Sequence, residues 1–204
     1  MATPARARWI AVVAVFGALW GAAEITLGAL LRSAGVPLRG TLMTGVGVVV
    51  MLVGRRTLGR PADARGSSLA IGLVTAAILP LSVSRGFVAA MTSVVGEALC
   101  VEAVLWVGRP AGGRFAVAGL CAGLVPVVRR VVTLVTLYGP AALGVLRDKT
   151  LTQQGGAALG LAGLTAGGLL AVVTVVSAAV GLVCGYAAWR LAETIRVRLG
   201  RAAV

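Results

Sequence analysis

Four ionisable side chains stand inside stretches of chain that are otherwise apolar: Glu24, Glu97, Arg129 and Arg130. A charge at the centre of a bilayer costs about 2.5–3.5 kcal/mol on insertion scales, so such a residue marks a ligand, a pathway or a compensating partner. Two carboxylates and two guanidiniums can neutralise one another through bidentate pairs. The same quartet therefore allows two chemistries: buried ion pairs that fix helix packing, or a polar cavity for a small charged or zwitterionic ligand. Adjacent arginines favour the cavity, because successive helical positions point about 100° apart and one can pair with a Glu while its neighbour faces an opening. Glu102, five residues beyond Glu97, is left over, toward the headgroups or a coupling surface.

Other chemistry is poorly served. The 204 residues contain no His, which removes the commonest metal ligand and general base. Cys100, Cys121 and Cys184 stand singly in apolar runs, so neither a metal site nor a disulfide is indicated. No spacing of nucleophile and base is visible. The expectation is a non-enzymatic chain with no metal and no cofactor.

The elements that must position the quartet follow from composition. Apolar residues make up 59% of the chain and charged ones 12%, against about 45–50% and about 25% in soluble domains. Aromatics at 4% argue against an outer-membrane barrel with its girdles. The predicted fold class is an all-α integral membrane protein, a single polytopic domain over residues 1–204. The net charge of +13 is then a topology signal rather than a sign of nucleic acid.

Six spans satisfy the membrane's length requirement, at about 9–31, 36–54, 67–84, 87–108, 115–137 and 161–189. Arg6 and Arg8 precede a first run too long for a cleaved signal peptide, which is read as a retained helix. The second span is the weakest, with Pro37 and Arg39 in its first turn. Counting basic residues by loop gives twelve on the side of both termini and five on the other, which puts the termini in the cytoplasm of a cell (inner) membrane protein. Glu24, Glu97, Arg129 and Arg130 then share mid-depth. Residues 138–160 are left without a conformation, with Thr150 expected outside, and Gly155–Gly168 reads as a loop entering a closely packed helix.

Small residues give a further signal. Ala14, Ala18 and Ala22 recur every fourth residue in the first span, with Gly17 and Gly21 alongside, a stripe that lets another helix approach closely. Internal packing and a partner interface are both open for it.

Six helices, termini inside, the alanine stripe in the inner half of the first helix and the following GVPLRGTL segment together resemble the substrate-binding S component of energy-coupling-factor vitamin transporters. The resemblance implies that Ala14, Ala18 and Ala22 dock a transmembrane coupling subunit with its ATPases. It also implies that residues 32–40, with Arg32, Pro37 and Arg39, form a gating loop over a small vitamin-like or cofactor-precursor substrate. The absence of His departs from the metal-importing type. On this reading the chain needs an ATP-driven partner, since it has no Walker loop of its own. Two alternatives remain at this level: a self-sufficient small-solute or proton-coupled carrier in which Glu24 and Glu97 titrate, and a structural or assembly protein held by buried ion pairs.

Overall fold

The structure is a computed structural model that describes residues 4–36, 38–59, 64–81, 87–106, 111–153, 160 and 163–202. Among these residues every regular element is helical. The α-helices are α1 (Pro4–Ser33), α2 (Arg39–Thr57), α3 (Ser67–Ile78), α4 (Phe87–Trp106), α5 (Gly112–Tyr138), α6 (Ala142–Gln153) and α7 (Ala166–Ala202). Short 3-10 turns follow α3 at Leu79–Leu81 and α5 at Gly139–Ala141. Four segments are long and apolar enough to cross a membrane: Ala5–Ser33, Val88–Trp106, Gly112–Leu151 and Ala166–Arg198. Helices are what such a sequence must form in lipid, where each backbone N–H and C=O needs an internal partner. Outward-facing Leu30, Val88, Leu137, Val175 and Val183 are each more than half exposed, an outer surface suited to acyl chains and not to water.

One end of the bundle is tied together by named contacts. Arg8 Nη2 donates to the Thr57 carbonyl at 2.7 Å, joining the start of α1 to the end of α2. Arg56 Nη2 donates to Glu193 at 3.1 Å, and its guanidinium lies 4.6 Å from the Trp189 ring centroid, joining α2 to the end of α7. Phe115 at the start of α5 meets Trp189 edge-on, with centroids 5.2 Å apart. The start of α1, the end of α2, the start of α5 and the end of α7 thus share this end, and long helices adjacent in the chain run antiparallel.

The start of α3 and the end of α4 join them through a buried ion pair. Arg55 Nη1 donates to Glu102 Oε2 at 2.6 Å, with each side chain 7% exposed. Glu102 also accepts the backbone N–H of Gly66 at 2.8 Å and of Ser68 at 3.1 Å. A carboxylate from α4 therefore caps the start of α3, where helical N–H groups lack internal partners and the helix dipole favours negative charge. Arg55 spends its other contacts on Ser68 Oγ and the Leu105 carbonyl, so both ions are hydrogen-bonded on several sides.

Around this tie sits the core: Trp20, Met51, Leu52, Ile71, Val101 and Phe115 are essentially inaccessible. Trp20 fits because Gly47 on α2 has no side chain; a Cβ there would sit 2.5 Å from the indole. The closest approach is between α5 and α7, where Gly119 and Gly123 lie against Ser177, Gly181 and Gly185. A Cβ on Gly119 would run into the Gly181 carbonyl oxygen, and one on Gly181 into that of Gly119. Two backbones in direct contact is the packing that small residues allow in membranes.

The span boundaries differ from the sequence expectation in instructive places. The second helix runs on to Thr57, three residues past the predicted end, because Arg55 is buried by a partner 47 residues away. α7 starts at Ala166 instead of 161 and continues to Ala202. α6 occupies part of the segment left open, and within it Thr150 is buried, donating to the Leu146 carbonyl at 2.7 Å.

Candidate functional site

At the far end from the tied termini, the start of α2 and the second half of α5 separate enough to leave two adjoining cavities. Pro126 stands between them and lines both. Proline has no N–H to give the carbonyl one turn earlier, and irregular backbone at membrane depth is tolerated where protein or a cavity surrounds it. Arg129 and Arg130 follow one turn later on α5.

The larger cavity, about 390 Å³, is walled by Arg39 and Gly40 of α2, Ala89 of α4, Arg129, Arg130 and Thr133 of α5, and Lys149 of α6. Four cations face it, and no Asp or Glu is among its lining residues. The Lys149 ammonium also lies 5.4 Å from the Tyr138 ring centroid, a cation–π contact that holds α6 against the end of α5. Arg129 Nε is buried without a hydrogen-bond partner. A buried donor left unsatisfied is costly, and a ligand acceptor is one way to supply what it lacks.

The second cavity, about 50 Å³, is narrower and mostly apolar. Leu38, Val127, Leu146, Leu169, Leu170 and Val173 supply its walls, with Arg130 at the boundary with the first. Its polar groups include Thr41 and Ser177, whose hydroxyls are 3.0 Å apart across α2 and α7. At its edge Leu38 adopts φ 53°, the one left-handed non-glycine residue among those described. That conformation costs about 1–2 kcal/mol for a side chain with a Cβ, and strain of this kind collects at ligand clamps and switches.

The structure distributes the sequence-predicted residues as follows. Arg129 and Arg130 reach the larger cavity together with Arg39. Glu97, 3% exposed on α4, accepts a hydrogen bond from Thr44 Oγ1 at 3.1 Å, and Glu24 and Arg129 are near enough to act on its charge. No two of Glu24, Glu97, Arg129 and Arg130 approach as a direct ion pair among the described residues. Of the quartet, the two guanidinium residues line the larger cavity and the two carboxylates do not. Arg32 is exposed at the end of α1 and lines neither cavity, and Pro37 lies outside the described residues. Ala14, Ala18 and Ala22 are exposed, whereas Gly17 and Gly21 face Val74 and Ile78 of α3. The two interleaved stripes of α1 therefore divide: the glycines pack inside and the alanines stay on the surface.

Sequence reasoning misses Lys149, Thr41 and Ser177 at the site, and the Arg55–Glu102 pairing away from it. Lys149 reads only as a loop charge, because nothing in 138–160 announces α6. Thr41 and Ser177 carry no signal of their own in a chain with so many small residues. The Arg55–Glu102 pair was readable only as a basic residue at a helix end and an unassigned carboxylate. No protein-family model, curated protein or solved structure matches this chain.

Proposed function

We propose that the chain is the membrane-embedded substrate-capture subunit of an energy-coupling-factor-type importer for a small vitamin-like or cofactor-precursor molecule. The observation that carries this reading is the pair of adjoining cavities beside the segment that begins α2, lined by polar groups at the end opposite the gathered termini. Capture needs such a chamber, with an apolar wall for affinity and a few fixed polar groups for orientation. The strained Leu38 at its edge supports a gating role for the residues leading into α2.

Six crossings with both termini in the cytoplasm complete the proposal, adding α2 and α3 to the four longer segments. The end where the termini gather also carries Arg6, Arg8, Arg55, Arg56, Arg65 and Arg114, the bias expected of a cytoplasmic face. A reporter fused after Val204 should therefore be active only in the cytoplasm. One inserted at Gly155 should be active only outside; Gly155 is the better position because Thr150 is buried and lines the smaller cavity. A cytoplasmic signal from Gly155 rules out the six-crossing arrangement.

Docking of an energising partner is supported by the exposed Ala14, Ala18 and Ala22, a smooth surface at the half of α1 nearer the cytoplasmic end. Ala18→Trp should leave the purified protein as stable as the parent, since the side chain is exposed, while abolishing uptake in cells and copurification of the partner. Unimpaired uptake by this variant removes the docking surface. Parent protein that transports when reconstituted alone replaces the capture reading with that of a self-sufficient carrier, for which the buried Glu97 is the natural titrating group.

A further inference from the structure

Resting on the capture reading, we infer that the substrate is a small organic anion: a phosphate or carboxylate head held by Arg39, Arg129, Arg130 and Lys149, joined to a short apolar body in the adjoining pocket. The charge of the lining comes first. Four cations converge on one cavity from α2, α5 and α6 with no carboxylate among the lining residues. Glu97, the carboxylate near enough to act on Arg129, does not line the cavity and is already hydrogen-bonded to Thr44. Like charges lining one cavity from half-buried positions repel one another, a repulsion that a bound anion relieves. Guanidinium groups suit a planar carboxylate or a phosphate in particular, because their N–H donors match two oxygens at once. The partnerless Arg129 Nε points to the same deficiency of acceptors.

The apolar half of the ligand follows from continuity. Gly40, Pro126 and Arg130 belong to both cavities, so a group bound among the cations has the pocket of Leu38, Val127 and Leu170 next to it. That pocket is small, about 50 Å³, which limits the body to a short chain. The Thr41 and Ser177 hydroxyls at its wall already bond to each other, which leaves lone pairs rather than an unmet need. An inorganic anion would fill the charged cavity and leave the pocket unused; a neutral apolar molecule would do the reverse.

The same chemistry can arrive as a soluble metabolite or as the head of an anionic lipid, and the test separates them. The protein, purified in an uncharged detergent, is heated with propyl phosphate, inorganic phosphate or 1-propanol at constant ionic strength. Propyl phosphate should raise the unfolding temperature saturably, inorganic phosphate should do so only at higher concentration, and 1-propanol at the same concentration should have no effect. Arg129→Gln with Arg130→Gln should abolish the response. Lys149→Gln, at a half-buried side chain away from the core, should weaken it about tenfold, the loss expected of one charge-assisted hydrogen bond, and keeps the test open if the arginine variant does not fold. In a parallel arm, native mass spectrometry after passage through phosphatidylglycerol or phosphatidylcholine vesicles reads lipid adducts. A phosphatidylglycerol adduct lost in Lys149→Gln, with no response to propyl phosphate, supports the anionic site with lipid as its occupant and overturns capture of a soluble substrate. Equal stabilisation by propyl phosphate and 1-propanol overturns the anionic class, as does a response unchanged in both variants. Silence in both arms overturns it too, and the capture reading then stands or falls on Ala18→Trp.

Discussion

Glu102→Gln should destabilise the protein by about 3–5 kcal/mol, the cost of leaving one member of a buried pair without its counter-charge. The substitution keeps an oxygen for the N–H of Gly66 or Ser68 but removes the charge that Arg55 faces at 2.6 Å. Arg55 cannot reach water from where it is buried. Unfolding of detergent-solubilised protein, followed by helical circular dichroism during titration with a denaturing detergent, measures the loss. Combining it with Arg55→Met should recover most of the stability, because the unpaired ion is then gone. The recovery should remain incomplete by roughly 1–3 kcal/mol, since the backbone donors at the start of α3 lose a charged acceptor. A single variant as stable as the parent means that the pair is solvated in the membrane-bound protein.

The crossing of α5 and α7 should be equally intolerant, for a reason without charge. Gly119→Ala places a methyl group against the Gly181 carbonyl, an atom that cannot turn aside as a side chain would. The helices must separate or shift, at about 3 kcal/mol, the upper end of what overpacking usually costs. Ser177 is on the same face of α7, next to Gly123, and bonds to Thr41 at the pocket wall. Separation should therefore enlarge the smaller cavity as well as lower the unfolding temperature. Gly113→Ala, in open space at the start of the same helix, is the control and should change nothing measurable. If the two variants unfold alike, the backbones are not in contact.

These two places also show what the residues themselves announced. The repeat of small residues at Gly119 and Gly123, and at Ser177, Gly181 and Gly185, was present in the sequence with the same spacing as Ala14, Ala18 and Ala22. Spacing alone does not say which stripe faces inward. An apolar run must begin and end near water, and this puts Glu24, Glu97, Arg129 and Arg130 at one depth in the sequence, while the meeting of Arg39 with the two arginines in one cavity has no sequence signal. The pairing of charges was not legible. Whether Arg129 turns to Glu97 or to a cavity depends on how helices distant in sequence lean on one another. α6 escaped notice because its charged and polar residues, Arg147 to Gln153, look like a loop until α5 and α7 give Leu146 and Thr150 something to pack against.

The Arg55–Glu102 tie also has a history within each molecule. Arg55 leaves the ribosome 47 residues before its counter-ion. During that interval α2, already the most polar of the crossing candidates, carries a guanidinium at its end with nothing to answer it. Its lateral passage into lipid is then disfavoured until α4 follows, and α3, whose first turn is capped by the same carboxylate, is held to the same schedule. The middle of this protein is therefore expected to enter the bilayer as a three-helix unit, with the first helix as its anchor and the insertion machinery sheltering α2 in the meantime.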